Sequence, residues 1–226
     1  MPVPVAGGPC TAGTFGSSCA TAPSQAQAYL YQLTPGPVTR AAPIGMGSVD
    51  LITAADQISD LMFYTSKIDV PDQFWTSGFP GYPTLTEWFG VCYDGGFQVS
   101  TPGDHTFIVE QDDGVAMWID GSFVFDVEDG IVSITGTIPN LGPNRGGAIV
   151  SIPPVYLRSG LHHVTVKYYD GWRPSLGVVI WALPPGQTFA ATGCSPENST
   201  TCATPPDTEL MQLTGPPGGV INCPHR

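Results

Sequence analysis

The adjacent pair Asp112-Asp113, directly before Gly114, restricts the fold of this chain more than any other feature. The pair lies between two stretches that are typical of β-strands. Neighbouring side chains on a regular strand point to opposite faces, so both carboxylates can reach one cation only if the backbone bends between them. Two like charges at such a bend favour a site for a hard metal ion, above all calcium. A simple β-turn is the alternative interpretation.

The composition favours strands over helices. The 226 residues are enough for one large all-β domain or two small ones, and 28 Gly with 24 Pro fit frequent turns and short strands. Alternating patterns run from Trp88 to Leu183, with Asp120-Gly121 as a hairpin signal. A short helix is expected within residues 49–64. We predict an all-β fold, an antiparallel β-sandwich with disulfide-stapled N- and C-terminal extensions.

Shifts in composition divide the chain into three regions. Residues 1–45, rich in Gly, Pro, Ala, Ser and Thr, are predicted to form an extended N-terminal arm. Residues 46–190 carry the strand patterns and are predicted to form the sandwich. Residues 191–226 form a Cys/Pro/Gly-rich C-terminal segment that we expect to pack on the same domain.

The charge and the cysteines limit the possible partners and the compartment. The net charge is −12 with only seven Lys and Arg, which excludes a nucleic acid as partner, and no apolar run is long enough for membrane insertion. The six cysteines contain no CxxC pair, so they indicate a disulfide framework in an oxidising, extracellular or cell-surface location, with 15 pairings open. They are Cys10, Cys19, Cys92, Cys194, Cys202 and Cys223.

A series of short motifs follows in a fixed order. They are Gly78-Phe79-Pro80-Gly81, Glu87-Trp88-Phe89, Gly103-Asp104-His105-Thr106-Phe107, Gln111-Asp112-Asp113-Gly114, Trp118-Ile119-Asp120-Gly121, Gly160-Leu161-His162 and Val166-Lys167-Tyr168-Tyr169-Asp170-Gly171. In this order they resemble the PA-fourteen domain, a β-sandwich named from anthrax protective antigen and found in bacterial adhesins, glycosidases and yeast flocculins. The resemblance covers roughly residues 60–185.

The resemblance implies a calcium site and a sugar site. In lectin-like members of that family, a cis peptide joins the paired Asp residues, which bind Ca²⁺, and a later loop completes the site. Carried over to this sequence, Asp112, Asp113, Asp170 and Trp172 would hold the ion. A sugar bound at such an ion, held by Asp112 and Asp113, would also need a flat apolar face and a directional donor. Trp172 and Arg173, close after Asp170 in the sequence, could supply both, and a core position is the alternative interpretation of Trp172.

The expected function is therefore calcium-dependent carbohydrate binding by a lectin-like module of a secreted or cell-surface adhesin, with glycans as partners. The alternative is a structural or protein-interaction module of an extracellular assembly, in which calcium only rigidifies loops and other surface proteins are the partners. We predict no enzyme, because the sequence has no G-x-S-x-G, H-E-x-x-H or P-loop motif. Adjacent Asp112 and Asp113 also suit one ion better than two sides of a scissile bond.

Other candidates have simpler interpretations. The pair His162-His163 is not expected to bind metal, because strand neighbours face apart. The acidic group Asp126, Glu128 and Asp129 is interpreted as a solvated loop rather than a second ion site. Core positions are expected for Trp75, Trp88, Trp118 and Trp181, and Cys92 is interpreted as a cystine or core thiol.

Overall fold

The computed structural model describes residues 24–33, 52, 57–128, 131–134, 148–171, 175–189, 204–219 and 222–223. Within these ranges the regular structure is almost entirely strand, arranged in two antiparallel sheets. The predicted all-β class and antiparallel sandwich are confirmed. In the described ranges, short 3-10 helices at Trp75–Ser77, Asp207–Glu209 and Pro217–Gly219 connect or follow strands. No helix in the described part of the chain is long and apolar enough to span a membrane.

The larger sheet contains eight strands in the order β2-β1-β4-β11-β6-β7-β8, with β13 paired to β4. Their bounds are Ala26–Gln32 (β1), Gln57–Thr65 (β2), Phe89–Val99 (β4), Gly114–Ile119 (β6), Ser122–Glu128 (β7), Ile131–Ser133 (β8), Gly160–Asp170 (β11) and Leu213–Thr214 (β13). The smaller sheet has five strands in the order β10-β5-β12-β3, with β9 paired to β5. Their bounds are Asp69–Phe74 (β3), Gly103–Asp112 (β5), Ala148–Ser151 (β9), Val155–Leu157 (β10) and Ser175–Leu183 (β12).

Alternation along the strands produces the core between the two sheets. In β11, Val166 and Tyr168 point inward, and in β12, Val178 and Ile180 do the same. All four side chains are completely buried in one cluster that joins both sheets. The intervening residues of β12 pack on the outside of the smaller sheet, where Trp181 contributes to a second apolar cluster. Both faces of β12 are therefore buried, which explains its nearly continuous apolar sequence and confirms its predicted central position.

Two segments differ from the sequence interpretation. Strand β1 lies within residues 1–45, which the sequence assigned to an arm, yet β1 pairs with both β2 and β4 inside the larger sheet. The helix expected within residues 49–64 is wrong for residues 57–64, because these form β2. Pairing with β1 supplies the backbone hydrogen bonds of this segment, and this long-range contact is not visible in local sequence patterns.

A disulfide fixes the C-terminal segment to the sandwich. Cys92 in β4 is bonded to Cys223, 131 residues later. This confirms Cys92 as a cystine and the stapled C-terminal extension. Strand β13 and the buried Leu210 and Met211 also pack against the sandwich. The remaining cysteines, Cys10, Cys19, Cys194 and Cys202, lie outside the described residues, so stapling of the N-terminal extension stays a prediction.

Candidate functional site

Two connections between the sheets lie side by side at one end of the sandwich. Strand β5 of the smaller sheet ends at Asp112 and β6 of the larger sheet begins at Gly114, so Asp113 carries the chain across. In the opposite direction, β11 ends at Asp170 and β12 begins at Ser175. The first crossover is residues 112–114 and the second is residues 170–175. We call the end of the sandwich that contains them the site end.

Strand register brings the two crossovers together. Gly114 pairs with Tyr169 in the larger sheet, and Asp112 pairs with Gly177 in the smaller sheet. The peptide between Asp112 and Asp113 is cis, as the resemblance implied. From the sequence pattern alone, one cation could bind both carboxylates only if the backbone left the regular strand conformation between them. The cis peptide is such a departure, and it lies between β5 and β6.

Two glycines permit this close approach. A Cβ atom on Gly114 would lie 2.2 Å from the Tyr169 ring, which no real side chain could tolerate without displacement of the ring. A Cβ atom on Gly171 would lie 2.9 Å from Oδ2 of Asp113. The first glycine therefore allows β6 to pack against β11. The second allows the other crossover to reach the Asp113 carboxylate.

Hydrogen bonds connect the crossovers directly. The Gly171 backbone N–H donates to Oδ2 of Asp113 at 2.7 Å. The Tyr168 hydroxyl donates to the Asp112 backbone carbonyl at 2.6 Å and accepts from the Gly177 N–H at 3.2 Å. Burial raises the pKa of Tyr168 well above its usual range, and the charges of Asp170, Asp112 and Asp113 raise it further. Tyr168 therefore keeps the proton that it donates at neutral pH.

The carboxyl group of Asp170 is the least compensated group of the site. Its residue is 0% exposed, and neither carboxylate oxygen accepts a hydrogen bond from any part of the chain that the structure describes. Burial raises the pKa of Asp170 well above its usual range, and the charges of Asp113, Asp112 and Glu87 raise it further. A buried carboxylate without a donor is unfavourable, so this position calls for a cation or a proton.

The donor chemistry fits calcium, although the side chains alone do not complete a site. Carboxylate oxygens are the hard ligands that Ca²⁺ prefers, and a bound cation would compensate the charge of Asp170. Among the described residues, however, no three acidic, histidine or cysteine side chains converge as a ready metal-binding group. Calcium takes about six to eight oxygen ligands, so backbone carbonyls and water would have to supply most of the shell.

The structure brings some predicted site residues together and leaves others undescribed. Asp112, Asp113 and Asp170 all lie at the site end, with 1%, 2% and 0% exposure. Trp172 and Arg173 lie outside the described residues, and their roles stay predictions.

Sequence reasoning missed Tyr168 and Glu87 as parts of the site. Tyr168 lies two residues before Asp170 on β11, so the strand period of two could have indicated it. Glu87 belongs to the motif Glu87-Trp88-Phe89, but nothing in that motif indicated that its charge would act on Asp170.

The other candidates lie elsewhere. The two histidines face apart as expected, since His162 Nδ1 lies 2.6 Å from Asp120 Oδ2 and His163 Nε2 lies 2.6 Å from Asp94 Oδ1. Asp126 is buried on β7, so the interpretation of a solvated loop is wrong for this residue. The Trp181 side chain is buried as predicted, whereas Trp88 and Trp118 are partly buried beside the outer cluster of the larger sheet. The side chains of Trp75, Glu128 and Asp129 lie outside the description.

Sequence comparisons give no match, whereas structure comparisons do. No protein-family model matches the chain, and no curated protein sequence matches it. A PA14 sugar-binding domain from an RTX adhesin has a TM-score of 0.52 and 17% identity, covering 77% of this chain and 99% of that one. The PA14 domain of the MpAFP antifreeze protein has a TM-score of 0.52 and 12% identity, covering 86% and 92%.

A fungal adhesin has a similar fold. The A domain of epithelial adhesin 9 from Candida glabrata, solved in complex with Galb1-3GlcNAc, has a TM-score of 0.50 and 10% identity, covering 93% of this chain and 96% of that one. At these identities the likeness concerns the arrangement of the backbone and not the choice of ligand. The chain therefore has a PA14-like fold.

Proposed function

We propose that this chain is a calcium-dependent carbohydrate-binding, lectin-like module of a secreted or cell-surface adhesin. The observation that carries the proposal is the buried Asp170 carboxyl group, without a donor among the described residues, next to the Asp112-Asp113 crossover. The similar solved structures support the carbohydrate part, because one is described as sugar-binding and another contains a disaccharide. Glycans on a cell surface are the proposed partners.

In this proposal, different residues at the two crossovers bind the ion, orient its ligands and contact the sugar. Asp112, Asp113 and Asp170 would hold Ca²⁺, with further oxygens from the second crossover at Trp172. The Gly171 N–H fixes the orientation of the Asp113 carboxylate, and Tyr168 fixes the backbone at Asp112. Bound calcium supplies coordination positions for vicinal sugar hydroxyls. Trp172 would cover the apolar side of the sugar, and Arg173 would donate a directional hydrogen bond.

We expect a modest affinity for a single site. A millimolar dissociation constant corresponds to about −4 kcal/mol. Useful adhesion would then require many copies of the module on one surface, because linked sites bind with a high effective concentration. A non-enzymatic, extracellular role fits this mode of action.

A second candidate function is favoured by the burial of the acidic site. None of Asp112, Asp113 and Asp170 is more than 2% exposed. An ion held only by such groups could stabilise the crossovers without contacting a ligand. The chain would then be a structural or protein-interaction module of an extracellular assembly, in which calcium rigidifies loops.

Calcium binding is tested first, independently of any sugar. Isothermal titration of the metal-depleted chain with CaCl₂ should show one saturable site. The free energy of unfolding should rise by RT ln(1 + [L]/Kd), and the melting temperature should rise with it. Asp112→Asn should abolish both effects. Asp104→Asn is the matched control, since Asp104 is an exposed acid near the opposite end of β5. Equal calcium responses in Asp112→Asn and wild type would contradict the proposal.

A glycan array separates the two functions. In the presence of calcium, the wild-type chain should be retained on a subset of glycans, and EDTA should release it. Retention that persists in EDTA would reject calcium dependence. Saturable calcium binding with no retention on a broad array would instead support the structural or protein-interaction module.

A further inference from the structure

Phe74 is an exposed aromatic residue at the site end. It is the last residue of β3, the edge strand of the smaller sheet, and it is 74% exposed. A single exposed apolar side chain is common on protein surfaces, so the exposure alone indicates no function, and the position of this ring beside the candidate ligand site is the informative observation. Its neighbour Gln73 does not share this exposure, because Gln73 Nε2 donates to the Gly78 carbonyl.

Strand register places Phe74 relative to the first crossover. Phe74 pairs with Ser175 of β12, and two residues further along, Gly177 pairs with Asp112 of β5. Paired residues and residues two apart on a strand share one face of a sheet. The Cβ atoms of Phe74 and Asp112 therefore start from the same, outer face of the smaller sheet.

The same register gives the separation. Two strand spacings, roughly 10 Å, lie between β3 and β5, and the offset of two residues adds roughly 7 Å along the strands. The Cα atoms of Phe74 and Asp112 are thus about 12 Å apart. Phe74 also lies beyond Asp112 toward the site end. One sugar ring at the ion would not cover this distance, whereas a second or third ring linked to it would.

Aromatic rings suit this role because a pyranose has one face of C–H groups. Such a face packs on a flat apolar ring, and a phenylalanine loses little conformational freedom when it is covered. A second exposed aromatic residue, Tyr156, provides the contrast. It is 65% exposed but pairs with Asp104 of β5, eight residues from Asp112 and therefore about 26 Å away along the strand.

We propose that Phe74 is a specificity-determining residue that contacts the second or third ring of an oligosaccharide whose first ring binds at the calcium site. The module would thus select oligosaccharides over the corresponding monosaccharide. The inference rests on the proposed carbohydrate function of the crossovers and extends it to the length of the ligand.

The experiment compares Phe74→Ala with the matched control Tyr156→Ala in the full chain. Each calcium-loaded variant is applied to a glycan array containing mono-, di- and trisaccharides. For every oligosaccharide on the array that binds wild type, competition with the soluble oligosaccharide gives the affinity for that oligosaccharide. Competition with its terminal monosaccharide gives the affinity for the single ring. Phe74→Ala should weaken the oligosaccharide about tenfold, the effect of about one aromatic contact, and leave the monosaccharide unchanged. Phe74→Tyr should restore the affinity, and Tyr156→Ala should match wild type.

The outcomes distinguish this inference from the proposed function. Calcium affinity by titration calorimetry should be the same in wild type and Phe74→Ala, which also shows that the variant is folded. If wild type binds glycans and Phe74→Ala binds them equally well, the role of Phe74 is refuted and the proposed function stands. Equal losses for monosaccharide and oligosaccharide would also refute it, because the ring would then act at the first subsite. If wild type retains calcium but no glycan, both proposals are refuted.

Discussion

Two buried acidic residues on neighbouring strands differ in their hydrogen-bond partners. Asp94 on β4 and Asp170 at the end of β11 are both 0% exposed. Asp94 has Nε2 of His163 at 2.6 Å and accepts hydrogen bonds from the Thr165 hydroxyl and the Asn222 backbone N–H, at 3.3 and 2.7 Å. Asp170 accepts none from the described residues. The first acid therefore has hydrogen-bond partners on three described residues, whereas the second has none among the described residues.

The difference depends on the C-terminal segment. Asn222, which donates to Asp94, directly precedes Cys223, and Cys223 is bonded to Cys92. Cys92 lies two residues before Asp94 on β4, so both point to the same outer face of the larger sheet. The disulfide therefore delivers a donor to one buried acid. No corresponding segment among the described residues reaches the other acid.

Removal of this disulfide should have the largest effect on stability. The double variant Cys92→Ser, Cys223→Ser releases a loop of 131 residues and frees the Asn222 donor. We expect the free energy of unfolding to fall by about 4 kcal/mol. Urea denaturation of wild type and variant measures this change. A fall below about 1 kcal/mol would show that the C-terminal segment is held by other contacts. Calcium affinity should stay unchanged, since the crossovers are not touched.

Substitution of Asp94 should cost less, and calcium should not alter the cost. Asp94→Ala leaves His163 and the Asn222 N–H without their common acceptor, and the expected loss of stability is about 3 kcal/mol. Thermal or urea unfolding should give the same difference in CaCl₂ and in EDTA. A loss that appears only with calcium would place Asp94 in the ion site and remove the contrast between the two acids.

Asp170→Asn should show the opposite dependence on calcium. At a calcium concentration of about one hundred times Kd, wild type should gain about 2.7 kcal/mol, and the variant should gain almost nothing. In EDTA the variant should be at least as stable as wild type, because a neutral amide replaces a buried carboxyl group without a donor. Urea unfolding of wild type and Asp170→Asn, each in CaCl₂ and in EDTA, measures the four free energies of unfolding. A variant that is strongly destabilised in EDTA would indicate that Asp170 has a partner within the protein.

The sequence predicted those features that depend on local pattern. The strand period across Val164, Val166 and Tyr168, the apolar run of β12 and the Asp120-Gly121 hairpin all depend on neighbours in the chain. The two turn residues have φ angles of 51° and 75°, the left-handed values that a two-residue hairpin requires. Adjacent Asp112 and Asp113 similarly revealed a departure from strand geometry.

The features that depend on distant pairing were not predictable in this way. Strand β1 ends at Gln32 and lies between β2 and β4, which begin only at Gln57 and Phe89, so neither pairing is a short hairpin. The burial of Asp126 depends likewise on the sheet around β7, whereas its local sequence is that of an acidic loop. The supply of donors to Asp94 joins residues up to 128 positions apart, so no local pattern separates this acid from Asp170.

The smallest expected effect concerns Asp120, an exposed acid that has hydrogen-bond partners in His162 and the His163 N–H. Burial by itself would lower the pKa of His162. Its hydrogen bonds to the Arg158 carbonyl and to Asp120, together with the charge of Asp120, instead raise that pKa above the ordinary value of 6.5. Burial by itself would raise the pKa of Asp120, but hydrogen bonds from His162 and the His163 N–H, with the histidine charges, hold it below 3.8.

The two shifts define a pH window. The folded state holds the His162 proton more tightly than the unfolded chain, so this contribution is complete below pH 6.5 and is lost as the pH rises through the raised pKa. The contribution of Asp120 is complete above pH 3.8 and is lost as the pH falls through its lowered pKa. Asp120 is mostly exposed, so the pair should contribute only about 0.5 kcal/mol.

Urea unfolding between pH 3 and pH 9 tests this with Asp120→Asn, which keeps a turn-forming side chain. The difference in unfolding free energy between wild type and variant should be largest between pH 3.8 and pH 6.5 and smaller at pH 9. Asp104→Asn, an exposed acid on another strand, should show no such window. A difference that does not change with pH would mean that the turn geometry of Asp120, and not its charge on His162, stabilises the hairpin. In that case, partners within the protein would stabilise the buried acid Asp94 but not the exposed acid Asp120.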